Sequence, residues 1–122
     1  MKLQASAPTQ QHRFTAYGAG YVMVNGARHE ASVIVLPERI EPWDVAGFAA
    51  LTEAHFAALA ALSPEIVLLG TGSRLRFPPA RLAAPLARAG IGLEVMDLQA
   101  ACRTFNILAA EERLVAAALL FD

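Results

Sequence analysis

The residues that most resemble a chemical site form the turn Gly70-Thr71-Gly72, which follows an apolar run at residues 66–69. A glycine turn between a strand and a helix is where open α/β sheets bind ligands, so its position favours a nucleotide or phosphate loop. The composition of the turn does not favour such a loop. A dinucleotide-binding loop needs a third glycine where this chain has Leu75, and a phosphate loop needs Gly-Lys followed by Ser or Thr. Pro78-Pro79 also delays the next helix and offers an anion no amide donors. We interpret the motif as a tight turn that needs glycine dihedrals, with a phosphate site as the alternative.

Arginines surround this turn. Arg74 and Arg76 lie in the loop itself, and Arg81 and Arg88 follow it. Guanidinium groups bind carboxylates and phosphates through paired hydrogen bonds, so these side chains could hold an anion. Solvated surface arginines are the alternative. No aromatic ladder runs between them and the formal net charge is -1, which together argue against a nucleic-acid partner.

The other reactive side chains do not form a catalytic set. Cys102 is the only cysteine, and Arg103 projects about 100° away from it around a helix, so we expect a buried, unreactive thiol. Asp97 is explained as a helix N-cap. The three histidines match no metal-ligand spacing. We therefore expect no catalytic residue, no metal and no cofactor, and we favour a protein that is not an enzyme. The histidines are His12, His29 and His55.

Length and composition predict one ordered domain at residues 13–122, because 56% hydrophobic residues are enough for a core at this size. Residues 1–12 are polar and rich in glutamine, which predicts a flexible tail. They also lack the apolar stretch of a secretory signal and the basic character of an organelle leader. The lone cysteine fits a reducing compartment, and no apolar run approaches the roughly 18 residues of a membrane span. We expect a soluble, cytoplasmic protein.

The first half of the domain predicts an antiparallel hairpin. Asn25-Gly26 lies between two extended runs, residues 21–24 and 27–36, and is a strong type I′ turn signal. This turn sets Val22 opposite His29. It likewise sets Met23 opposite Arg28. Residues 32–36 have no polar alternation, so we expect the second strand to be covered on both faces until Pro37 ends it. Residues 38–47 are predicted to be an irregular connection.

The second half alternates strands and helices, which predicts an α/β domain with a largely parallel sheet. Thr52 is the N-cap of a helix that ends near Leu62. In the later helix, Pro85 predicts a kink or a late start, and Gly90 predicts the stop. The predicted strands are residues 66–69, 91–96 and 114–120, and the later helices are residues 79–89 and 98–108.

Three stretches together carry a family resemblance: NGARHEASVIVLPERIEPWDV, VLLGTGSRLRFPP and GIGLEVMDLQAACRTFNILAAEERLVAAALL. They resemble the domain-of-unknown-function family 498, which includes the assembly factor 3 of mitochondrial respiratory complex I and many bacterial proteins. The resemblance covers residues 14–120. It implies a three-layer α/β fold in which helices flank a central mixed sheet, with an N-terminal β-hairpin. Without a basic leader, the chain looks like a bacterial member.

The resemblance also implies which residues belong to the family motif. They are Gly70, Thr71 and Gly72 in the loop, Asp97 at a helix start, and Thr104, Phe105 and Asn106 further along that helix. If the strands at 66–69 and 91–96 are parallel neighbours, Gly72 and Asp97 share one edge of the sheet. Thr104 and Asn106 would lie about 10 Å away along the helix axis, so we expect them to bond near the helix end.

The resemblance implies no known enzymatic activity, and two functions follow from it and from the residues. The first is a non-catalytic binding module, an assembly or biogenesis factor for a membrane complex, which contacts a protein partner and reaches the membrane only through that partner. A mean hydropathy of +0.41 favours exposed apolar surface for such contacts. The alternative is a small-anion binder or an unassigned enzyme whose site lies at the sheet edge that carries Gly70-Thr71-Gly72. The predicted binding residues are Gly70, Thr71, Gly72, Arg74, Arg76, Asp97, Thr104 and Asn106.

Overall fold

The polypeptide between residues 11 and 122 forms eight β-strands and three α-helices, as described by a computed structural model. The tail predicted at residues 1–12 lies outside the described residues except for its last two. Of these, His12 donates its backbone N–H to the carbonyl of Pro37 at 2.7 Å. The strands are β1 (Phe14–Gly18), β2 (Tyr21–Val24), β3 (Ala27–His29), β4 (Val33–Leu36), β5 (Arg39–Pro42), β6 (Ile66–Thr71), β7 (Gly92–Met96) and β8 (Val115–Leu120), and the helices are α1 (Glu53–Ala60), α2 (Ala84–Arg88) and α3 (Leu98–Ala110).

The central layer is a mixed five-stranded sheet in the order β5-β4-β8-β6-β7. Strands β6, β7 and β8 are parallel, and β4 joins β8 in the antiparallel sense. Every residue of β8 is buried, because this strand lies in the middle of the sheet with a layer on each face. The carboxyl ends of three parallel strands therefore meet at one edge.

The two faces of this sheet belong to two separate cores. Val33, Val35 and Leu68 face α3 and a small antiparallel sheet made of β1, β2 and β3. The intervening Ile34 and Val67 face α1, α2 and the segment that precedes α1. Alternate residues of each strand thus bury opposite sides, which gives the three-layer α/β fold with a central mixed sheet that the resemblance implied.

The N-terminal hairpin has the predicted register, with Val22 opposite His29 and Met23 opposite Arg28. Asn25 and Gly26 take φ of 48° and 84°, the left-handed values that a type I′ turn requires. The prediction of one continuous second strand at residues 27–36 was wrong. The chain leaves the small sheet after β3 and enters the central sheet as β4. All four residues of β4 are buried, which needs a layer on each face, whereas β3 is an edge strand with an exposed face.

The prediction of an irregular segment at residues 38–47 was also wrong in part, because β5 pairs with β4 as a hairpin. β5 is an edge strand, where exposed polar side chains and a terminal Pro42 are tolerated. Beyond it, a 3-10 helix at Phe48–Ala50 leads into α1. The N-cap of α1 is Thr52, as predicted, and His55 completes a capping box by accepting the Thr52 N–H at 2.9 Å.

Proline chemistry sets the start of α2. A 3-10 helix at Ala80–Ala83 precedes it, and the α-helical turns begin only at Ala84, so that Pro85 lies in the first turn, where its missing N–H costs nothing. The predicted late start is therefore confirmed. Gly90 stops the helix with φ of 72°. The predicted cap of α3 is also confirmed, since the carboxylate of Asp97 accepts the N–H of Ala100 at 2.8 Å.

Candidate functional site

The carboxyl ends of β6, β7 and β8 form one edge of the sheet, which we call the rim: residues 70–76, Asp97 and Asp122. Because β6 and β7 are parallel neighbours, Gly72 and Asp97 both lie here. The two strand ends are joined directly, since the N–H of Leu98 donates to the carbonyl of Gly72 at 2.8 Å. The structure thus brings together the loop and the helix start named from the sequence.

Thr71 is the buried centre of the rim and is fully shielded from solvent. Its hydroxyl donates to the carbonyl of Arg74 at 2.7 Å, with the carbonyl of Met96 3.3 Å away, and it accepts the N–H of Arg76 at 3.1 Å. These bonds use the donor and an acceptor position of the hydroxyl within the protein. Thr71 therefore shapes the loop and does not present its hydroxyl to a ligand.

Arg76 turns inward from the loop. Its Nη2 donates to the carbonyl of Thr71 at 2.7 Å, and its guanidinium lies 4.7 Å from the ring centre of Phe48. This combination of a hydrogen bond and a cation–π contact fixes the loop backbone. Arg74, the other predicted anion anchor, is exposed and forms no ion pair with the described residues.

Asp122 occupies the outer side of the rim and was missed by the sequence reasoning. Both of its carboxylate oxygens accept the N–H of Ser73, at 3.2 and 3.1 Å, and Arg76 Nη2 lies 3.4 Å from Oδ1. The hydrogen bonds from Ser73, followed by the charges of Arg76 and Arg74, hold the pKa of Asp122 below its ordinary value. A signal was present, because Asp122 follows the apolar run at residues 114–121, which contains β8, and so had to lie near the edge where the parallel strands end.

Gly72 makes this carboxylate position possible. Its φ is 90°, a conformation that side-chain-bearing residues rarely adopt. A Cβ at this position would lie 2.1 Å from Asp122 Oδ1. The glycine required by the motif therefore serves both the turn and the close approach of the Asp122 carboxylate.

A cleft of about 230 Å³ opens beside Asp122. The turn between β1 and β2 forms one wall, and the start of α3 forms the other. Asp97 lines the cleft, with its carboxylate engaged in capping α3. Other lining residues are Gly18, Gly20, Ser73, Gln99 and Phe121.

The segment that follows the glycine turn exposes apolar side chains to solvent. We call residues 73–81 the arginine loop. Leu75 is 49% exposed and Phe77 is 69% exposed, and these two lie on either side of the inward-facing Arg76 in sequence. Arg74 and Arg81 are exposed at the ends of this segment. Residues 66–93 contain four arginines and no acidic residue, so the surface combines apolar side chains with positive charge.

Thr104 and Asn106 lie away from the rim on α3. The expectation that they bond near the helix end was wrong for Asn106, because α3 continues to Ala110 and Asn106 bonds to β1 instead. Its Oδ1 accepts the N–H of Phe14 at 2.9 Å, and its Nδ2 donates to the carbonyl of Phe14 at 2.9 Å. Thr104 is half-buried on the same helix. Asn106 therefore joins the small sheet to α3.

Cys102 lies on the inward face of α3 and is fully buried in the core. Burial raises the pKa of its thiol to about 12, and the nearby Arg103 offsets this only in part. The thiol is thus protonated at neutral pH. Among residues 11–122, no group of three or more His, Cys, Asp or Glu side chains could hold a metal ion.

The fold is that of a three-layer α/β protein. Its glycine turn forms hydrogen bonds within the protein, and the arginine loop that follows the turn exposes apolar side chains. Residues 14–120 match the family described as a protein of unknown function (DUF498/DUF598), and the chain belongs to that family. In the described part of the chain, no α-helix has the length and apolar character needed to cross a membrane.

Similar proteins come from animals and bacteria. The chain is 34% identical over 120 residues to the Bos taurus NADH dehydrogenase [ubiquinone] 1 alpha subcomplex assembly factor 3, a match that covers 97% of this chain and 65% of that protein. It therefore spans just under two thirds of that relative. A crystal structure of a Bordetella parapertussis protein has a TM-score of 0.88 at 41% identity and covers 95% of this chain and all of that one. An NMR structure from Xanthomonas campestris has a TM-score of 0.84 at 38% identity and covers 98% and 92% of the two chains.

Proposed function

We propose that this protein is a non-catalytic assembly factor that binds a subunit of a membrane-bound respiratory complex through the arginine loop. The observation that carries the proposal is the exposure of Leu75 and Phe77 on a loop whose backbone is fixed from beneath by Thr71 and Arg76. The Bos taurus relative is named as an assembly factor, which supports an assembly role for this chain. The proposal includes a cytoplasmic location, with peripheral membrane association through the bound subunit.

The loop has the physical properties of a protein-binding surface. Moving a large apolar side chain from full exposure to full burial contributes about 1.5–3 kcal/mol. Leu75 and Phe77 are 49% and 69% exposed, so covering them would contribute the corresponding fraction of that amount. Aromatic residues, including phenylalanine, and arginine are also more frequent at interfaces than on the rest of the protein surface. Arg76 and Pro78-Pro79 hold the loop in one conformation before binding, so little ordering entropy is lost.

Charge adds a preference among partners. Arg74 and Arg81 flank the apolar side chains and form no ion pair with residues 11–122. An acidic surface on the partner would complement them and speed the encounter. The expected partner is therefore a subunit with an apolar groove bordered by Asp or Glu.

The test is recovery of partners by the tagged protein from its native cells after crosslinking, with bound proteins identified by mass spectrometry. The wild type should enrich subunits of a respiratory complex. The double variant Leu75→Ser/Phe77→Ser should recover at least tenfold less of these subunits than the wild type does. Leu114→Ser is the matched control, because Leu114 is 45% exposed and immediately precedes β8, at the opposite end of that strand from the rim. The proposal fails if the wild type enriches no such subunit, or if the double variant recovers it as well as Leu114→Ser does.

The alternative function, a small-anion binder at the rim, is favoured by one observation, the carboxylate of Asp122 on the Ser73 N–H. It differs from the assembly function in needing no protein partner. Purified protein that binds acetate or phosphate at this position, with no subunit recovered from cells, would favour this alternative.

A further inference from the structure

The outer side of the rim has the components of an anion-binding position. The N–H of Ser73 points out of the turn, the guanidinium of Arg76 lies beside it, and Gly72 leaves open the space that a Cβ would fill. A backbone N–H combined with a guanidinium favours a negatively charged oxygen. Asp122 supplies that oxygen in this structure.

Asp122 is held loosely in this position. Its side chain is 52% exposed, its two oxygens share one N–H, and the contact with Arg76 is long at 3.4 Å. Exposed pairs of this kind are screened by solvent and contribute little to stability. Another carboxylate can therefore replace Asp122 without disrupting the fold.

We infer that Ser73 and Arg76 form a carboxylate-binding subsite, which Asp122 fills in the free protein and which an acidic side chain of the bound partner takes over. The inference rests on the proposed function in that the incoming carboxylate comes from a protein segment. Asp122 then acts as an internal competitor that the partner must displace.

The dimensions and charge of the neighbouring cleft narrow the ligand further. At about 230 Å³ the cleft is smaller than the pockets of roughly 300–1,000 Å³ that enclose whole small molecules. It is suited to one side chain of an extended segment. Asp97 lines the same cleft and adds a negative charge, which disfavours a doubly charged phosphate more than a singly charged carboxylate.

Peptide titrations followed by ¹⁵N NMR of the purified full chain test this inference. The probes are the capped peptides Gly-Asp-Gly and Gly-Asn-Gly, with inorganic phosphate as a third arm. In Asp122→Ala the position is vacant, so the Asp peptide should bind at least tenfold more tightly than it binds the wild type, as reported by the Ser73 amide. The Asn peptide should leave that amide unchanged, and phosphate should bind more weakly than the Asp peptide.

Glu111→Ala is the matched control, because it removes one exposed negative charge elsewhere and should bind the Asp peptide no better than the wild type. The inference is overturned if the Ser73 amide of Asp122→Ala does not respond to the Asp peptide, if it responds equally to the Asn peptide, or if Glu111→Ala gains as much. A phosphate response as strong as the peptide response overturns the carboxylate assignment.

The two proposals can fail separately. The titration uses purified protein and no cell partner, so a tenfold gain without partner recovery supports the carboxylate subsite and removes the assembly function, together with the partner as the source of the carboxylate. Partner recovery that depends on Leu75 and Phe77, with no gain in Asp122→Ala, supports the assembly function and removes the subsite.

Discussion

Replacing Asn106 by alanine should be among the most damaging polar substitutions in the protein. The Asn106 amide both accepts the Phe14 N–H and donates to the Phe14 carbonyl, each at 2.9 Å. Phe14 is buried and stacks edge-on against Phe105 at a ring separation of 5.2 Å, so water cannot easily replace the lost amide. Leaving a buried backbone group unpaired costs about 1–3 kcal/mol. Asn106→Ala leaves both the N–H and the carbonyl of Phe14 unpaired, and the surrounding structure can relax around them in part. We therefore expect a loss of about 2–4 kcal/mol from the free energy of unfolding.

Urea unfolding followed by circular dichroism and by tryptophan fluorescence measures this loss. Trp43, the single tryptophan, lies in the core on the opposite side of the central sheet, so its signal reports whether both cores unfold together. Ile107→Ala is the control, because Ile107 is the next residue of α3 and is 59% exposed. It should change stability by less than about 0.5 kcal/mol. If Asn106→Ala falls within that same range, the two bonds to β1 do not hold the small sheet on α3.

Three further predictions follow from individual side chains. His55→Ala removes the acceptor of the Thr52 N–H and should lower the free energy of unfolding by about 1 kcal/mol, measured by urea unfolding; an unchanged value would mean that the capping box is not formed in solution. Since burial raises the pKa of Cys102 to about 12, iodoacetamide at pH 8 should modify the native thiol at least 100-fold more slowly than the urea-unfolded one, and comparable rates would contradict its burial. The pKa of Asp122 is lowered by Ser73, so its carboxylate stabilises the fold above the ordinary carboxyl pKa of about 3.9, and this contribution is lost as the pH falls through the lowered value. Asp122→Asn should therefore be less stable than the wild type at pH 6, by under about 1 kcal/mol because of solvent screening, and the difference should shrink as the pH falls below the ordinary carboxyl pKa; a difference that does not shrink would assign the effect to something other than the charge.

Local signals in the sequence were sufficient for much of the fold. Asn25-Gly26 determined the hairpin register because both residues must take positive φ, and Pro85 determined the start of α2 because its ring excludes it from a helix interior. The break between β3 and β4 could not be predicted in this way. The connection, residues 30–32, contains no glycine, proline, asparagine or aspartate, and its one serine is a weak turn signal. The chain changes sheets there because β4 gains burial on both faces.

The candidate site was predicted in position and only partly in content. The rule that parallel strands end at one edge located Gly72 and Asp97 together, and it applies equally to Asp122 after β8. What the sequence could not give was the direction of each arginine. Arg74 and Arg76 have the same chemistry, and Arg76 turns inward because the fold places the Thr71 carbonyl and the Phe48 ring within its reach.

The division of the interior into two cores has an evolutionary consequence at the rim. Side chains of one core do not touch those of the other, so substitutions in the two cores should have nearly additive effects and can accumulate independently. The rim contacts both cores, so substitutions in either core can change its conformation. Arg76 packs on Phe48 of one core. Gly70 lies against Leu119 and Ala101 of the other. Substitutions of buried residues in related proteins could therefore change the conformation of the arginine loop, and with it the choice of partner, without any change of surface residues.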